Sequence, residues 1–188
     1  DIDANAGLIR AASVFVTQLE QPIDAAIRAL RIAREAGVTT VFNPAPAAEL
    51  PAGIYALCDY VTPNETEASA LTGLPVESLD DARAAAAALR AKGARAAIIT
   101  LGKRGALLQT QDQSIHVPAV SAGPVVETTG AGDAFNGGFA AALAKGYSPV
   151  EAVKFGCAVA GVSVTRAGTA PSMPSFEEAM ALYKAQQD

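Results

Sequence analysis

Two glycines and a carboxylate lie close together in the segment Gly130-Ala-Gly-Asp133. Glycine has no Cβ atom, so the backbone here can adopt φ values closed to other residues and approach a ligand closely. The stretch from Ala134 to Lys145 has no proline and predicts a helix whose first turn is the glycine segment. The unpaired N–H groups and positive dipole end of that helix would face an anion. Because Asp133 could take a proton from an attacking hydroxyl, the segment predicts phosphoryl transfer.

The same residues also allow a simpler interpretation, in which Asp133 is an ordinary acid at a glycine-rich helix start. Other polar residues follow predicted strands, where ligands of α/β proteins gather: Glu20, Asn43, Asn64 and Thr100. Asn64 and Glu67 have the spacing with which an Asn caps a helix, so capping alone would explain both. Glu20 alone would be a surface acid at a helix start, and Thr100 with Gly102 a hairpin corner.

Strands and helices alternate along the chain. Strands are predicted at 13–17, 38–42, 59–61, 96–100, 106–109 and 114–117, and helices at 22–37, 65–71, 79–92, 134–145 and 149–165, after the end of another helix at 1–12. Such alternation indicates βαβ units with buried parallel strands and right-handed crossovers. The expected fold class is α/β, a three-layer α/β/α sandwich with a mostly parallel, doubly wound sheet.

Composition fits one globular enzyme domain and argues against several classes of protein. Hydrophobic residues make up 51% of the 188 residues, enough for one substantial core. A net charge of −5 without a basic cluster argues against a nucleic-acid or membrane-surface partner, and no apolar run reaches the ~18 residues of a membrane span. Cys58, Cys157 and the single His116 indicate neither disulfides nor zinc, so a cytoplasmic location is predicted. His116 is interpreted as a surface residue.

The segment Thr129-Gly-Ala-Gly-Asp-Ala-Phe-Asn-Gly-Gly-Phe139 resembles the C-terminal signature of the ribokinase family, also called the PfkB carbohydrate kinases. Three further segments match in the family's order: Asn43-Pro-Ala-Pro-Ala47, Thr62-Pro-Asn-Glu-Thr-Glu67 and Thr100-Leu-Gly-Lys-Arg-Gly105. Gln18-Leu-Glu-Gln-Pro22 is similar to the family segment in which a glutamate reaches the sugar. The resemblance runs nearly from end to end.

This resemblance implies ATP-dependent phosphorylation of a sugar, D-ribose in the first place, to ribose 5-phosphate. Asp133 would be the general base, and the turn formed by Gly130, Ala131, Gly132 and Asp133 would be an anion hole for the transferring phosphoryl group. Glu20 and Asp133 would bind the sugar, while Glu67 would help to organise Mg²⁺ through water. The positions implied to lie beside ATP are Asn64, Thr100, Gly102, Gly132 and Cys157. From its residue type alone, Cys157 would be a buried inert thiol.

Members of the family also bind a monovalent cation, usually K⁺, beside the anion hole. The matching positions, mostly through main-chain carbonyls, are Glu127, Thr129, Ser163, Arg166, Gly168 and Ser172. Glu127 stands where the family usually has Asp, and its extra methylene moves the carboxylate about one bond further out, which leaves K⁺ dependence open.

The resemblance further implies that residues 1–188 are the C-terminal nucleotide-binding and catalytic part of one ribokinase-like domain, without its N-terminal sugar-binding and lid segment. The full-length form is expected to be a homodimer. Glu20 favours ribose, but a kinase for fructose, deoxyribose or 2-keto-3-deoxygluconate is an alternative. An interpretation of a different class is a nucleotide-binding fragment or inactive interaction module.

Overall fold

The structure, a computed structural model, describes residues 1–186. The chain divides into two compact units: Asp1–Thr100 with Leu107–Ile115, and Leu101–Ala106 with the residues from His116 onward. The single-domain organisation drawn from the sequence stays a prediction. Within residues 1–186 the structure contains no helix that is long and apolar enough to cross a bilayer.

Six strands form one sheet, and their order across the sheet is their order along the chain. The strands are β1 (Val14–Thr17), β2 (Thr39–Phe42), β3 (Tyr60–Val61), β4 (Ala96–Thr100), β5 (Ala106–Gln109) and β6 (Ser114–Val117). β1 to β4 are parallel, with Val14 opposite Thr39 and Tyr60 opposite both Val41 and Ala96. Their carboxyl ends therefore meet at one edge of the sheet.

The last two strands are joined to their neighbours by hairpins. Leu101 N–H donates to the Gly105 carbonyl at 2.8 Å, and Thr110 N–H donates to the Gln113 carbonyl at 2.9 Å. Connections this short cannot make a parallel crossover, so β5 and β6 run antiparallel to the strands before them.

Four helices belong to the first unit: α1 (Ala6–Ala11), α2 (Ile23–Glu35), α3 (Glu65–Thr72) and α4 (Leu79–Ala91). α2 buries Ala26, Ala29, Leu30 and Ala33, an apolar stripe at helical spacing that packs against β1 and β2. α4 packs its own alanine-rich stripe against β4. α3 ends at Gly73, whose φ of 73° is the left-handed conformation of a helix C-cap. A glycine in the local sequence thus determines where α3 ends.

Three helices belong to the second unit: α5 (Ala131–Ala144), α6 (Pro149–Ser163) and α7 (Phe176–Lys184). α5 and α6 approach each other so closely that a Cβ atom added to Gly138 would lie 2.6 Å from the Val159 side chain. Phe155 of α6 packs against Phe176 and Tyr183, with ring centroids 5.0 and 5.8 Å away. The small residues of α6 thus serve close packing, with Gly156 against the Phe135 ring and Gly161 against the Val120 carbonyl.

The predicted strands agree with the structure to within one residue, and the predicted helices at 65–71, 79–92 and 149–165 are also present. The sequence reasoning missed α7, although Ser175 and Glu178 form a capping box at its start. His116, interpreted as a surface residue, is only partly exposed. Its Nε2 atom lies 2.6 Å from the Arg104 carbonyl oxygen.

Candidate active site

The carboxyl edge of the parallel sheet, in the first unit, is held together by backbone and amide hydrogen bonds. Asn43, only 9% exposed, donates its backbone N–H to the Thr17 carbonyl at 2.9 Å and its side-chain amide to the Thr62 carbonyl at 2.8 Å. Asn64 pairs with Thr100 as an isolated parallel bridge, and Thr100 N–H donates to the Pro63 carbonyl at 3.0 Å. The structure therefore brings the ends of all four parallel strands into one polar edge.

Glu20 lies in the loop between β1 and α2, and its side chain is exposed. The loop contacts the segment after β2 through a hydrogen bond of 3.0 Å from Leu19 N–H to the Ala45 carbonyl. α2 begins after Pro22 without any side-chain cap, so Glu20 has no role in starting that helix. Glu20 is therefore an exposed carboxylate in the loop that follows β1.

Asn64 and Glu67 form a reciprocal capping box at the start of α3. The Asn64 side chain accepts a hydrogen bond from Glu67 N–H at 2.9 Å, and the Glu67 carboxylate accepts one from Asn64 N–H at 2.8 Å. Burial raises the pKa of the Glu67 carboxyl above its usual range, against the opposing effect of the hydrogen bonds from Asn64. The predicted capping is confirmed.

The glycine turn, in the second unit, leads directly into α5. Gly130 is the N-cap, with φ of 79°, and no side chain caps the helix. Ala131 N–H donates to the Thr128 carbonyl at 3.1 Å, whereas Gly132 and Asp133 N–H have no acceptor among residues 1–186. The sequence suggested that both glycines could adopt φ values closed to other residues, but only Gly130 does so. Gly132 has an ordinary φ because it already lies inside the helix. Two N–H groups of this turn are therefore open to an anion.

Asp133 stands in the first turn of α5 with an exposed side chain. Its carboxylate has no hydrogen bond or ion pair within the described part of the chain. The favourable field of the helix N-terminus stabilises a carboxylate at this position. Asp133 is thus an accessible base beside two free N–H donors.

The loops before α5 and after α6 are joined through Val164 and Glu127. The Val164 carbonyl accepts hydrogen bonds from Val126 N–H and Glu127 N–H, at 2.8 and 3.2 Å. The Glu127 carboxylate accepts Gly168 N–H at 2.8 Å and a hydrogen bond from the Thr129 hydroxyl, and these two donors hold its pKa below the usual range. Glu127 therefore has a structural role that needs no cation.

The other side chains predicted around the monovalent cation already have protein partners. The Ser163 hydroxyl donates to the Ala160 carbonyl at 2.9 Å, and the Ser172 hydroxyl donates to the Thr169 carbonyl at 2.7 Å. Arg166 donates to the Glu178 carboxylate at 2.6 Å. These partners are compatible with a cation held mostly by main-chain oxygens, as the sequence led us to expect.

The remaining predicted nucleotide contacts differ in exposure. Gly102 is exposed, with φ of 52°, in a short turn of 3-10 helix. Cys157 is 6% exposed within α6, and burial raises the pKa of its thiol to about 12. The interpretation of Cys157 as a buried, unreactive thiol agrees with this environment.

Residues 2–175 match the pfkB family of carbohydrate kinases. The chain belongs to this family. It is 41% identical to a deoxyribokinase of Salmonella typhi over 179 residues, which are 95% of this chain and 58% of that protein. It is 40% identical to a ribokinase of Haemophilus influenzae over 166 residues, 88% of this chain and 54% of the relative.

Solved pfkB structures have the same fold. A ribokinase of Arabidopsis thaliana complexed with ribose and ATP matches with a TM-score of 0.93 and 32% identity, over 97% of this chain and 59% of that one. A ribokinase of Thermotoga maritima matches with a TM-score of 0.86 and 35% identity, over 96% of this chain and 59% of that one. The predicted α/β/α class with a mostly parallel sheet is confirmed, and the chain spans less than two thirds of these relatives.

In this pfkB chain no group of three or more His, Cys, Asp and Glu side chains could hold a metal ion within residues 1–186. The oxygen donors at the start of α3 are one carboxylate, Glu67, and one amide, Asn64. Such a sparse set fits Mg²⁺ that keeps most of its waters, since Mg²⁺ dehydrates reluctantly. Indirect binding through water, as predicted for Glu67, is compatible with these residues.

Sequence reasoning expected Asn43 among the polar residues at the strand ends, because it directly follows a buried strand. It assigned no site role to Thr62, which builds the polar sheet edge together with Asn43, or to Asn136 in α5. Asn136 is a polar residue in a run of alanine, phenylalanine and glycine, and its burial to 6% exposure could not be predicted from that run alone.

We expect Glu67→Gln to flatten the pH dependence of stability. The Glu67 pKa is higher in the folded chain than its usual value of 4.5, so the folded state holds more protons between the two values. The free energy of unfolding contributed by this group therefore falls as pH rises through that interval. Gln can replace Glu in the capping box but cannot titrate. Urea unfolding between about pH 4 and about pH 8 measures this, and parallel curves for the two proteins would contradict it.

Proposed function

We propose that this chain supplies the nucleotide-binding and catalytic part of an ATP-dependent pentose kinase. The observation that carries the proposal is the start of α5, where an uncapped helix N-terminus with free N–H groups lies beside the exposed carboxylate of Asp133. Membership of the pfkB family supports the reaction class. The ribose and ATP bound to the Arabidopsis ribokinase support the choice of substrates.

Asp133 acts as the general base in this proposal. Its carboxylate accepts the proton of the sugar's primary hydroxyl while that oxygen attacks the γ-phosphorus of ATP. The phosphorus–oxygen bond to ADP breaks, and ADP leaves with the electron pair. A base that is exposed and not engaged by other side chains can reach a substrate hydroxyl without breaking protein contacts first.

The N–H groups at the start of α5 stabilise the negative charge on the transferring phosphoryl group. Gly132 and Asp133 offer free donors, and Gly130 and Ala131 complete the proposed anion hole. The N-terminal end of the α5 dipole adds to this stabilisation. Asn64, Thr100, Gly102 and Cys157 are proposed to line the nucleotide side.

Mg²⁺ bound to ATP would neutralise phosphate charge, and Glu67 and Asn64 would hold it through its waters. K⁺, if bound, would use main-chain oxygens at the positions from Glu127 to Ser172 named above. Glu127 and Thr129 would then order the loop that carries those oxygens, since both already engage in hydrogen bonds there. The homodimer and the cytoplasmic location also stay predictions.

D-ribose, giving ribose 5-phosphate, is the proposed substrate, with Glu20 as acceptor for sugar hydroxyls. Deoxyribose is the alternative that a specific finding favours, because the identity to the deoxyribokinase is 41% and the identity to the ribokinase is 40%. Fructose and 2-keto-3-deoxygluconate remain candidates from the sequence. The sugar specificity would depend on residues in both this chain and the remaining part of such enzymes.

The test is release of ADP from MgATP by the longest available form of the protein, with and without K⁺. The sugars to compare are D-ribose, 2-deoxyribose, fructose and 2-keto-3-deoxygluconate. Ribose-selective release is the expected result. Release with a different sugar would keep the mechanism and change the substrate. If no sugar increases ADP release, the kinase proposal fails and the nucleotide-binding interpretation replaces it.

A further inference from the structure

A cavity of about 490 Å³ lies in the first unit, and none of the residues proposed for catalysis or ATP binding lines it. It is bounded by residues 47–50, which follow β2, by Tyr55, by Ala70 and Leu71 in the last turn of α3, and by Lys92 at the end of α4. Small-molecule sites in proteins typically have volumes of roughly 300–1,000 Å³. The cavity is therefore large enough for a small ligand.

Tyr55 lines this cavity with a side chain whose hydroxyl group has no protein partner. The residue is 6% exposed, and its hydroxyl forms no hydrogen bond within residues 1–186. The fully enclosed side-chain oxygens that lack a partner in this part of the chain are Thr62 Oγ1 and Asn136 Oδ1, so the Tyr55 oxygen is not sealed off. Native proteins pair nearly all buried polar groups. The Tyr55 hydroxyl therefore needs an acceptor that enters from the cavity.

The Tyr55 hydroxyl is a hydrogen-bond donor at every physiological pH. Burial, with a smaller effect of the nearby Cys58, raises the pKa of Tyr55 to about 12, so the phenol stays protonated and neutral. Lys92 Nζ lies 6.0 Å from the centroid of the Tyr55 ring, which places a positive charge near this donor. A neutral O–H donor beside an ammonium group suits a carboxylate.

Glu49 adds the opposite charge to the same cavity. Its carboxylate and the Lys92 ammonium form no ion pair with each other or with any other group in residues 1–186. Glu49 would repel a ligand that carried only a negative charge, and Lys92 would repel one that carried only a positive charge. The rest of the lining consists of alanine and leucine side chains, at positions 47, 48, 50, 70 and 71. The cavity thus offers partners for a carboxylate, an ammonium group and a short apolar side chain.

We propose that this cavity binds a free α-amino acid with an apolar side chain. The ligand carboxylate accepts hydrogen bonds from the Tyr55 hydroxyl and the Lys92 ammonium, and the ligand ammonium donates to the Glu49 carboxylate. The apolar side chain of the ligand packs against the leucines of the lining, where the burial of apolar surface adds to the affinity. The site is independent of the proposed kinase reaction, because no residue of its lining takes part in that reaction.

L-Leucine is the probe, in a ¹H–¹⁵N NMR titration of the longest available form of the protein. We expect saturable shifts of the amide signals of residues 47–57 and 92, with a Kd of about 1 mM or less. 4-Methylpentanoate lacks the ammonium group of leucine and 3-methylbutylamine lacks its carboxylate, so each should bind at least about 3-fold more weakly, the effect of one exposed ion pair. The proposal is overturned if these signals do not move at about 20 mM leucine, or if 4-methylpentanoate binds as tightly as leucine.

Tyr55→Phe removes the hydroxyl and keeps the buried ring. We expect the Kd for leucine to rise about 10-fold, because a hydrogen bond to a charged group is lost. Lys92→Met should weaken the binding of leucine and 4-methylpentanoate but not that of 3-methylbutylamine, which has no carboxylate. Lys154→Met removes an exposed lysine that does not line the cavity, so it is the matched control and should leave the Kd values of all three compounds unchanged.

A cavity that holds only water gives a different result. The Kd for leucine would then be the same in the wild-type protein, Tyr55→Phe and Lys92→Met, and this outcome refutes the proposal. If Tyr55→Phe does not fold, Lys92→Met decides alone, because the Lys92 side chain is exposed and its replacement leaves the core intact. These titrations require no ADP release, so a failure of the kinase proposal would not affect them.

Discussion

Asp133→Asn should lower kcat for sugar phosphorylation by about 10²- to 10⁴-fold, the contribution typical of a general base. Asn has the size of Asp but cannot accept the hydroxyl proton. The stability of the protein should change little, because the Asp133 side chain is exposed and has no bonded partner among residues 1–186. Steady-state ADP release gives kcat, and urea unfolding of the same samples gives the stability.

Asp24→Asn is the matched control for this substitution. Asp24 is also an exposed acid in the first turn of a helix, α2, so the same change removes a similar interaction with the helix dipole. We expect wild-type kcat from this variant. Near-normal kcat in Asp133→Asn, or an equal loss in both variants, would show that Asp133 is not the base.

Gly105→Ala should lower the free energy of unfolding by about 3–5 kcal/mol, which is more than most single substitutions cause. Gly105 has φ of 97°, a conformation that residues with a Cβ atom rarely adopt. A Cβ atom there would also lie 2.0 Å from the Val117 carbonyl oxygen and 2.5 Å from the Ala119 backbone nitrogen. Both neighbours are backbone atoms, so no side-chain rotation relieves the clash. Urea or thermal unfolding measures the loss.

Gly73→Ala separates the two causes of that loss. Gly73 has φ of 73°, but a Cβ atom there meets nothing within 4 Å. Only the cost of the left-handed backbone remains, which is about 1 kcal/mol. If Gly105→Ala lowers the free energy of unfolding no more than Gly73→Ala does, the hairpin after β4 has moved to accommodate the added methyl group. The close approach of the 117–119 backbone would then not constrain residue 105.

Much of this protein could be predicted from residues close together in the chain. The capping box of Asn64 and Glu67 needs only a spacing of three residues, and the helix after Gly130 needs only a glycine turn followed by helix-forming residues. The strands of the sheet follow from short β-branched or apolar runs between glycine and proline. The capping box and the glycine turn are local, because their hydrogen bonds and backbone conformations join residues within one or two turns. The strand runs can be recognised from adjacent residues, although their pairing joins distant ones, such as Val14 and Thr39.

Other features depend on contacts between distant parts of the chain and could not be predicted in this way. The Glu127 carboxylate accepts a hydrogen bond from the N–H group of Gly168, 41 residues later in the chain. The sequence had predicted this side chain beside a cation, and spacing alone could not indicate the Gly168 partner. The half-buried position of His116 and the sterically restricted Gly105 both depend on how β6 returns beside the turn after β4. The unpaired oxygen of Asn136 is visible only when burial is known. Burial and long-range pairing are set by the packing of whole elements, whereas residue spacing specifies only the elements themselves.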